Sequence, residues 1–268
     1  MFKGFYTAAS GMITQQRRTE VITNNMANVN TAGFKQDGST VRSFPEMLLS
    51  KYDQYTVPTQ DPLKLVNGQQ IGSVSTGVYM QETTPLFTQG ALKETSFTTD
   101  MALLDVNTGE NGSFFFTVDS AEGPVYTKNG NFTLDGAGYL TTASGMYVLD
   151  ANNQRIQLSS DQFTVDSTGF IVGAQGEAYQ LGIAYAPNTN DLVKRGDNLF
   201  ALEEGQLDGN VEGMSFVIQQ GFLEGSNVDM EGQMTELLTA YRAFEANQKV
   251  LQAYDRSMDK AANEIGRL

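Results

Sequence analysis

Near the C-terminus, apolar positions recur at alternating spacings of four and three. Met230, Met234, Leu237, Tyr241, Phe244, Gln248, Leu251, Asp255, Met258, Ala262 and Ile265 follow this rhythm, with Gln248 and Asp255 as polar interruptions. The spacing predicts a long helix with one narrow apolar seam. No proline lies between Asp229 and Arg267, and Asn227 or Asp229 is placed to cap the first free N–H groups. The N-terminal stretch carries the same period more weakly. Phe5, Met12, Thr19 and Met26 form one row, and Ala8, Gln15, Ile22 and Val29 a second. This helix is expected to stop in Asn28-Val-Asn30-Thr31-Ala-Gly33, because Asn and Gly tolerate the left-handed backbone that ends helices.

The middle of the chain has a different rhythm. Short runs rich in β-formers are separated by turn residues from about Gly72 to Gly221, among them Ala102–Val106, Ser113–Val118, Phe170–Val172 and Ser215–Gln219. Asn129-Gly130, Asp135-Gly136, Ser167-Thr-Gly169 and Asn188-Thr-Asn190 lie between such runs, and Asn-Gly and Asp-Gly are strong hairpin signals. Residues 37–71 have mixed character, and Pro45 favours a short helix within Arg42–Ser50.

The expected fold class is therefore α+β. Long N- and C-terminal coiled-coil-type helices pair with each other around a central all-β domain of short antiparallel strands. The expected divisions are 1–36 for the first helix, 37–71 for a linking region, 72–221 for the β domain and 222–268 for the last helix. Two narrow apolar stripes require cover. Either the helices form one intramolecular pair on their own domain, or they also pack against copies of the chain. Amides crowd the seam, at Gln15, Gln16, Asn24, Asn25, Asn28, Asn247 and Gln248. Such amides cost stability but fix register.

Composition narrows the chemistry. The 268 residues include no His, Cys or Trp. That excludes disulfides, thiolate or imidazole zinc sites, cysteine nucleophiles and a Ser-His-Asp triad. The formal net charge of −14 argues against nucleic-acid binding. The charge is localised: residues 1–36 carry +3, residues 224–268 carry −3, and the middle carries the whole −14. Carboxylate pairs are the remaining catalytic candidates: Asp100 with Asp105, Asp135 with Asp150, and Glu203 with Glu204. Each is better explained by turns. No Asp-x-Asp-x-Asp-Gly calcium loop occurs, and the glycine clusters lie between strands rather than between strand and helix, so no cofactor or metal is expected. No apolar run reaches the ~20 residues of a membrane-spanning helix, and the N-terminus lacks the apolar core of a cleaved signal.

Several longer motifs carry a resemblance. Ala8-Ala-Ser10-Gly11-Met12, followed by Asn24-Asn25-Met26-Ala-Asn28-Val-Asn30-Thr31-Ala-Gly33-Phe34-Lys35, resembles the N-terminal signature of bacterial flagellar rod and hook proteins. Gln220-Gly221-Phe222-Leu223-Glu224-Gly225-Ser226-Asn227-Val228 and Tyr241-Arg242-Ala243-Phe244-Glu245-Ala246-Asn247 resemble the family's closing signature. Gln89-Gly90-Ala91-Leu92 and the run from Pro124 to Gly145 match pieces between them. Within the family, the length is most like the distal or upper proximal rod subunits.

The resemblance implies a structural subunit of the flagellar basal-body rod and not an enzyme. Its partners are copies of itself, other rod and hook subunits, and the flagellar export apparatus, with no nucleic acid. It is exported without a cleaved signal to an extracytoplasmic place in the periplasm and cell wall. There it forms a helical tube that surrounds the export channel and carries torque from motor to hook. The side chains expected to pack the terminal helices are Phe5, Met12, Ile22, Met26, Met234, Leu237, Tyr241, Phe244, Leu251, Met258 and Ile265. Asn28, Asn30, Thr31, Gly33 and Phe34 are expected to end the first helix. Arg17 and Arg18 are expected to meet Glu231, Glu236 or Glu245. Removal of residues 1–35 is expected to leave a soluble β domain. The alternatives are a fibre or adhesin stalk with coiled-coil ends, and a carboxylate-dependent cell-wall hydrolase.

Overall fold

The computed structural model describes residues 2–57, 63–109, 111–121, 123–202, 205–209 and 213–265. Among them are two α-helices, α1 (Phe2–Ala27) and α2 (Met230–Lys260), and eighteen strands. The chain divides into two compact units, each built from separated segments. The first comprises Met1–Thr23, Ser39–Thr83 and Met234–Leu268; the second comprises Asn24–Gly38 and Thr84–Gln233.

The second unit is centred on a five-stranded antiparallel sheet. Its strand order is Ile183–Ala186, Ser113–Ser120, Gly123–Thr127, Leu199–Leu202 and Leu192–Gly196. Strand Ser113–Ser120 is buried on both faces. Phe114, Phe116 and Val118 enter the larger core with Met101, Phe132, Leu140, Ile156 and Ile171. Phe115 points the other way, into a smaller cluster with Tyr126, Leu192 and Phe200. This explains an unbroken apolar run where a one-sided strand would alternate. Smaller antiparallel pairs extend the unit: Met101–Asn107 with Ser215–Gln220, and Leu92–Glu94 with Phe222–Glu224. Asp135-Gly136 lies in the connection between Phe132–Leu134 and Leu140–Thr142, where Asp135 Oδ1 accepts from the N–H groups of Ala137 and Tyr139.

In the first unit, strand Met47–Val57 pairs antiparallel with Leu63–Val74. The short helix expected within Arg42–Ser50 is absent. Met47–Ser50 belongs to this ribbon, and pairing with Gln70–Val74 satisfies backbone groups that a single helical turn leaves open. Helix α1 is stitched by hydroxyls to the connection after Val74 and to the start of strand Val78–Pro85. Thr7 Oγ1 donates to Thr76 O at 2.9 Å, and buried Thr14 Oγ1 donates to Val78 O at 3.2 Å.

The expected pair of long coiled-coil helices is overturned. Among the residues of α2 that turn inward are Gln233, Leu237, Ala240, Phe244, Asn247, Leu251, Tyr254 and Met258, with Ala243 and Glu245 half-buried beside them. The row Leu237, Phe244, Leu251, Met258 is shared with the predicted seam. The second row is displaced by one residue, so Met234 and Tyr241 are 53% and 55% exposed while Ala240 is buried. Contacts across to α1 include small and polar ones: Gly4 against the Tyr254 ring and hydroxyl, Gly11 against the Asn247 amide, and Arg18 Nη2 at 3.6 Å from Glu236 Oε2. A Cβ at Gly4 would collide with the Tyr254 hydroxyl. Glycines and amides supply no knobs for an interlocking apolar seam.

Candidate assembly surfaces and a buried clasp

The start of α2 is fixed locally. Asp229 caps it, accepting from Glu231 N and Gly232 N at 3.2 Å each. Asn227, the other cap candidate, instead accepts from Gln36 N at 2.7 Å and donates to Leu86 O at 2.7 Å. At the other terminus, α1 ends at Ala27. Asn28 N donates to Asn24 O and Asn25 O, and Thr31 Oγ1 donates to Asn28 Oδ1 at 3.2 Å. Gly33 has φ +67, and its N–H donates to Glu224 O at 2.8 Å. A Cβ there would lie 2.5 Å from Asn129 N, so both the backbone angle and the space require glycine.

Gly33 delivers Phe34 and Lys35 into the interior of the second unit, where both are 2% exposed. Lys35 Nζ donates to Glu224 Oε1 at 2.6 Å and to Thr88 O at 2.9 Å. The same oxygen accepts from Gly90 N, while Glu224 Oε2 has no hydrogen-bond partner among the described residues. A second ion pair joins Lys128 Nζ to Asp105 Oδ2 at 2.8 Å. Burial pushes the Lys128 ammonium below its ordinary value; the Asp105 and Glu224 carboxylates oppose that shift, and Lys35 reinforces it. Lys194 Nζ reaches Asp37 Oδ2 at 2.8 Å and lies 4.5 Å from the centre of the Phe34 ring. Buried Asn25 bonds both backbone groups of Asp37 and donates to Gln233 Oε1 at 3.3 Å. These contacts fasten residues 24–38 into the β unit as one of its own parts.

The predicted packing residues have mixed surroundings. Ile22 is buried; Phe5, Met12, Met26, Leu237, Phe244, Leu251 and Met258 are half-buried; Met234 and Tyr241 are exposed. The side chain of Ile265 lies outside the described residues. In the helix-end motif, Gly33 and Phe34 are buried, Asn28 and Thr31 half-buried, and Asn30 exposed. The buried pairs Lys35–Glu224 and Lys128–Asp105 escaped the sequence reading. Their one signal is a lone charge inside an apolar or glycine-rich run, as in Gly33-Phe34-Lys35 and Phe222-Leu223-Glu224-Gly225.

Three of the acidic candidates, Asp105, Asp135 and Asp150, are occupied by local structure, and Asp100 is buried. Asp105 accepts from Ser113 Oγ and Phe114 N besides Lys128. Asp135 and Asp150 each accept two backbone N–H groups of their own turns. Glu203 and Glu204 lie outside the described residues. A cleft of about 620 Å³ is lined by Tyr126, Asp150, Asp208 and Phe216 among others. Its Tyr126 hydroxyl, held above its ordinary value chiefly by burial, accepts from Leu207 N. No group of three or more acidic side chains able to hold a metal ion occurs among the described residues. None of the helices described is long and apolar enough to cross a membrane.

Comparison with known proteins follows this architecture from end to end. Residues 5–35 match the family described as flagella basal body rod protein. Residues 111–177 match the flagellar hook protein FlgE/F/G D1 domain, and residues 219–264 match the flagellar basal body rod FlgEFG protein C-terminal family. The chain is 43% identical over 277 aligned positions to the flagellar hook-basal body complex protein FlhO of Bacillus subtilis (strain 168), covering 100% of each. It is 30% identical to the flagellar basal-body rod protein FlgG of the same organism, covering 98% of this chain and 99% of the relative. The FlgG of Agrobacterium fabrum is 33% identical over 92% of this chain and 94% of its own length. With both terminal signatures, the intervening domain and full-length relatives in agreement, the chain belongs to the flagellar basal-body rod protein family.

Proposed function

We propose that this protein is a structural subunit of the bacterial flagellar basal-body rod. The observation that carries the reading is an unburied apolar ridge on α2. Met234, Leu238 and Tyr241 are 53%, 60% and 55% exposed, one helical turn apart. Contiguous apolar surface on a terminal helix is suited to burial against another protein. The full-length likeness to rod proteins supports a second rod subunit as that protein.

In this reading, Met234 and Tyr241 are covered on assembly. Phe5, Met12, Met26, Leu237, Phe244, Leu251 and Met258 complete burial begun within the subunit, and Ile22 remains internal. Asn28, Asn30, Thr31, Gly33 and Phe34 stop α1 and turn the chain into the β unit. The partners are copies of this chain, other rod or hook subunits, and the export apparatus that delivers it without a cleaved signal. The assembled tube lies outside the cytoplasm, surrounds the export channel and carries torque. Each large apolar side chain covered adds about 1.5–3 kcal/mol before the cost of association.

A strain lacking this protein is expected to lose motility, with basal bodies missing a section of rod. Expression of the full chain restores both, and a chain lacking residues 2–23 restores neither. Normal rods in the deletion strain would reject the reading.

A further inference from the structure

Ser215–Asn227, the last stretch of the β unit before the Asp229 cap, reaches back to parts of the chain far before it. Ser215–Gln220 pairs with Met101–Asn107, and Phe222–Glu224 pairs with Leu92–Glu94. Gly221, at φ +77, joins the two strands, and its N–H donates to Asp100 O. Five amides from scattered positions donate to this one segment. Gly33 N reaches Glu224 O at 2.8 Å, and Gln36 N reaches Asn227 Oδ1 at 2.7 Å. Gly90 N reaches Glu224 Oε1 at 2.9 Å, Thr95 N reaches Gly221 O at 2.7 Å, and Val165 N reaches Gln220 Oε1 at 3.0 Å. Gln220 Nε2 also donates to Thr98 O at 2.7 Å and to Phe163 O at 2.8 Å. The segment is tied down by polar bonds more than by apolar burial. Ile218 is its one fully buried apolar side chain, whereas Ser113–Val118 is buried at every position.

We infer that Ser215–Asn227 is a strap that closes the β unit last, opens first, and seats residues 33–36 as it closes. The five-stranded sheet lies within residues 113–202 and takes no strand from the strap. Segments with few buried apolar contacts open at lower cost than core strands, so strap and sheet are separable. Lys35 enforces the order. Its ammonium has its buried counter-ion only when Glu224 is in place, and an unpaired buried charge is strongly penalised. Synthesis runs from the N-terminus, so the strap is also the last part of the unit to be made. An incomplete chain therefore keeps an open β unit with residues 33–36 unseated. This goes beyond the rod-subunit reading and holds independently of what the chain assembles with.

Native-state amide exchange of the full chain in sub-denaturing urea tests the strap. The amides of Gly33, Gln36, Gly90, Thr95 and Val165 are expected to share one opening free energy. It is expected to lie below that of Thr117, whose N–H donates to Gly182 O inside the β unit. Two variants then separate strap from sheet. Leu192→Ala, at a buried position on the sheet's edge strand, is expected to speed exchange at Thr117 at least about tenfold. It is expected to leave the five strap-bonded amides unchanged, because the sheet is still folded when the strap opens. Leu192→Val replaces it if the first variant fails to fold. Gln220→Ala is expected to speed the other four strap-bonded amides and Thr117 alike, at least about fivefold, because both openings start from the native state it weakens. If the sheet variant speeds the five amides as much as Thr117, strap and sheet are one cooperative unit and the inference is overturned. It is overturned equally if the five amides open with unrelated free energies, or if Gln220→Ala leaves the other four unchanged.

Discussion

Lys35 Nζ lies 2.6 Å from Glu224 Oε1, and each side chain is only 1% exposed. Removing one member leaves a buried charge without its counter-ion. Lys35→Met is therefore expected to destabilise the β unit by about 3–5 kcal/mol. Lys35→Met with Glu224→Leu removes both charges and is expected to recover much of that loss. Urea denaturation of the four species of this double-mutant cycle measures the coupling. Additive losses would show that the pair is not coupled.

The same pair moves the boundary of the β unit. Gly33, Phe34, Lys35 and Asn25 are internal to it, which argues against removing residues 1–35 with the β domain left intact. A chain lacking residues 2–23 is expected to keep the β unit folded, and one lacking residues 2–35 is expected to lose it. Limited proteolysis and amide exchange across residues 101–127 distinguish the two.

Gly33→Ala meets two obstacles, a left-handed backbone and a neighbouring main chain. Its expected cost is about 1–3 kcal/mol. Thermal unfolding against wild type checks it, and an unchanged midpoint would contradict the assigned turn.

Burial holds Lys128 below its ordinary value of 10.5. Between the lowered folded value and the ordinary one, the unfolded chain keeps a proton that the folded chain has released. Stability from this residue therefore rises with pH through the alkaline window just below 10.5. Below that window both states are protonated and the penalty is full. Lys128→Met is expected to flatten this slope in denaturation midpoints taken from neutral to alkaline pH. An unchanged slope would contradict it.

Strand positions were largely legible because period-two runs and turn residues are local signals. Asp135-Gly136 sits in a real hairpin connection. Asn129-Gly130 does not, because the strand before it pairs with Ser113–Ser120 and Leu199–Leu202 while the strand after it pairs with Leu140–Thr142. Such pairing depends on distant segments that a dipeptide cannot report. Helix α2 was legible as a helix, and Leu237, Phe244, Leu251 and Met258 of one predicted row turn inward while Met230 of that row is exposed. The other row was misplaced because apolarity was equated with burial. Ala240 and Gln233 turn inward, while Met234 and Tyr241 stay out. The buried lysines were hidden for the converse reason, since charge suggests solvent until its partner is known.

The central claim is that this chain is a building block of the rod. Its most direct test is electron microscopy of purified basal bodies carrying an epitope-tagged copy, labelled with gold. Label is expected to be confined to the rod between the motor and the hook. Complete rods without label, from cells that make the tagged protein and swim only because of it, would contradict it.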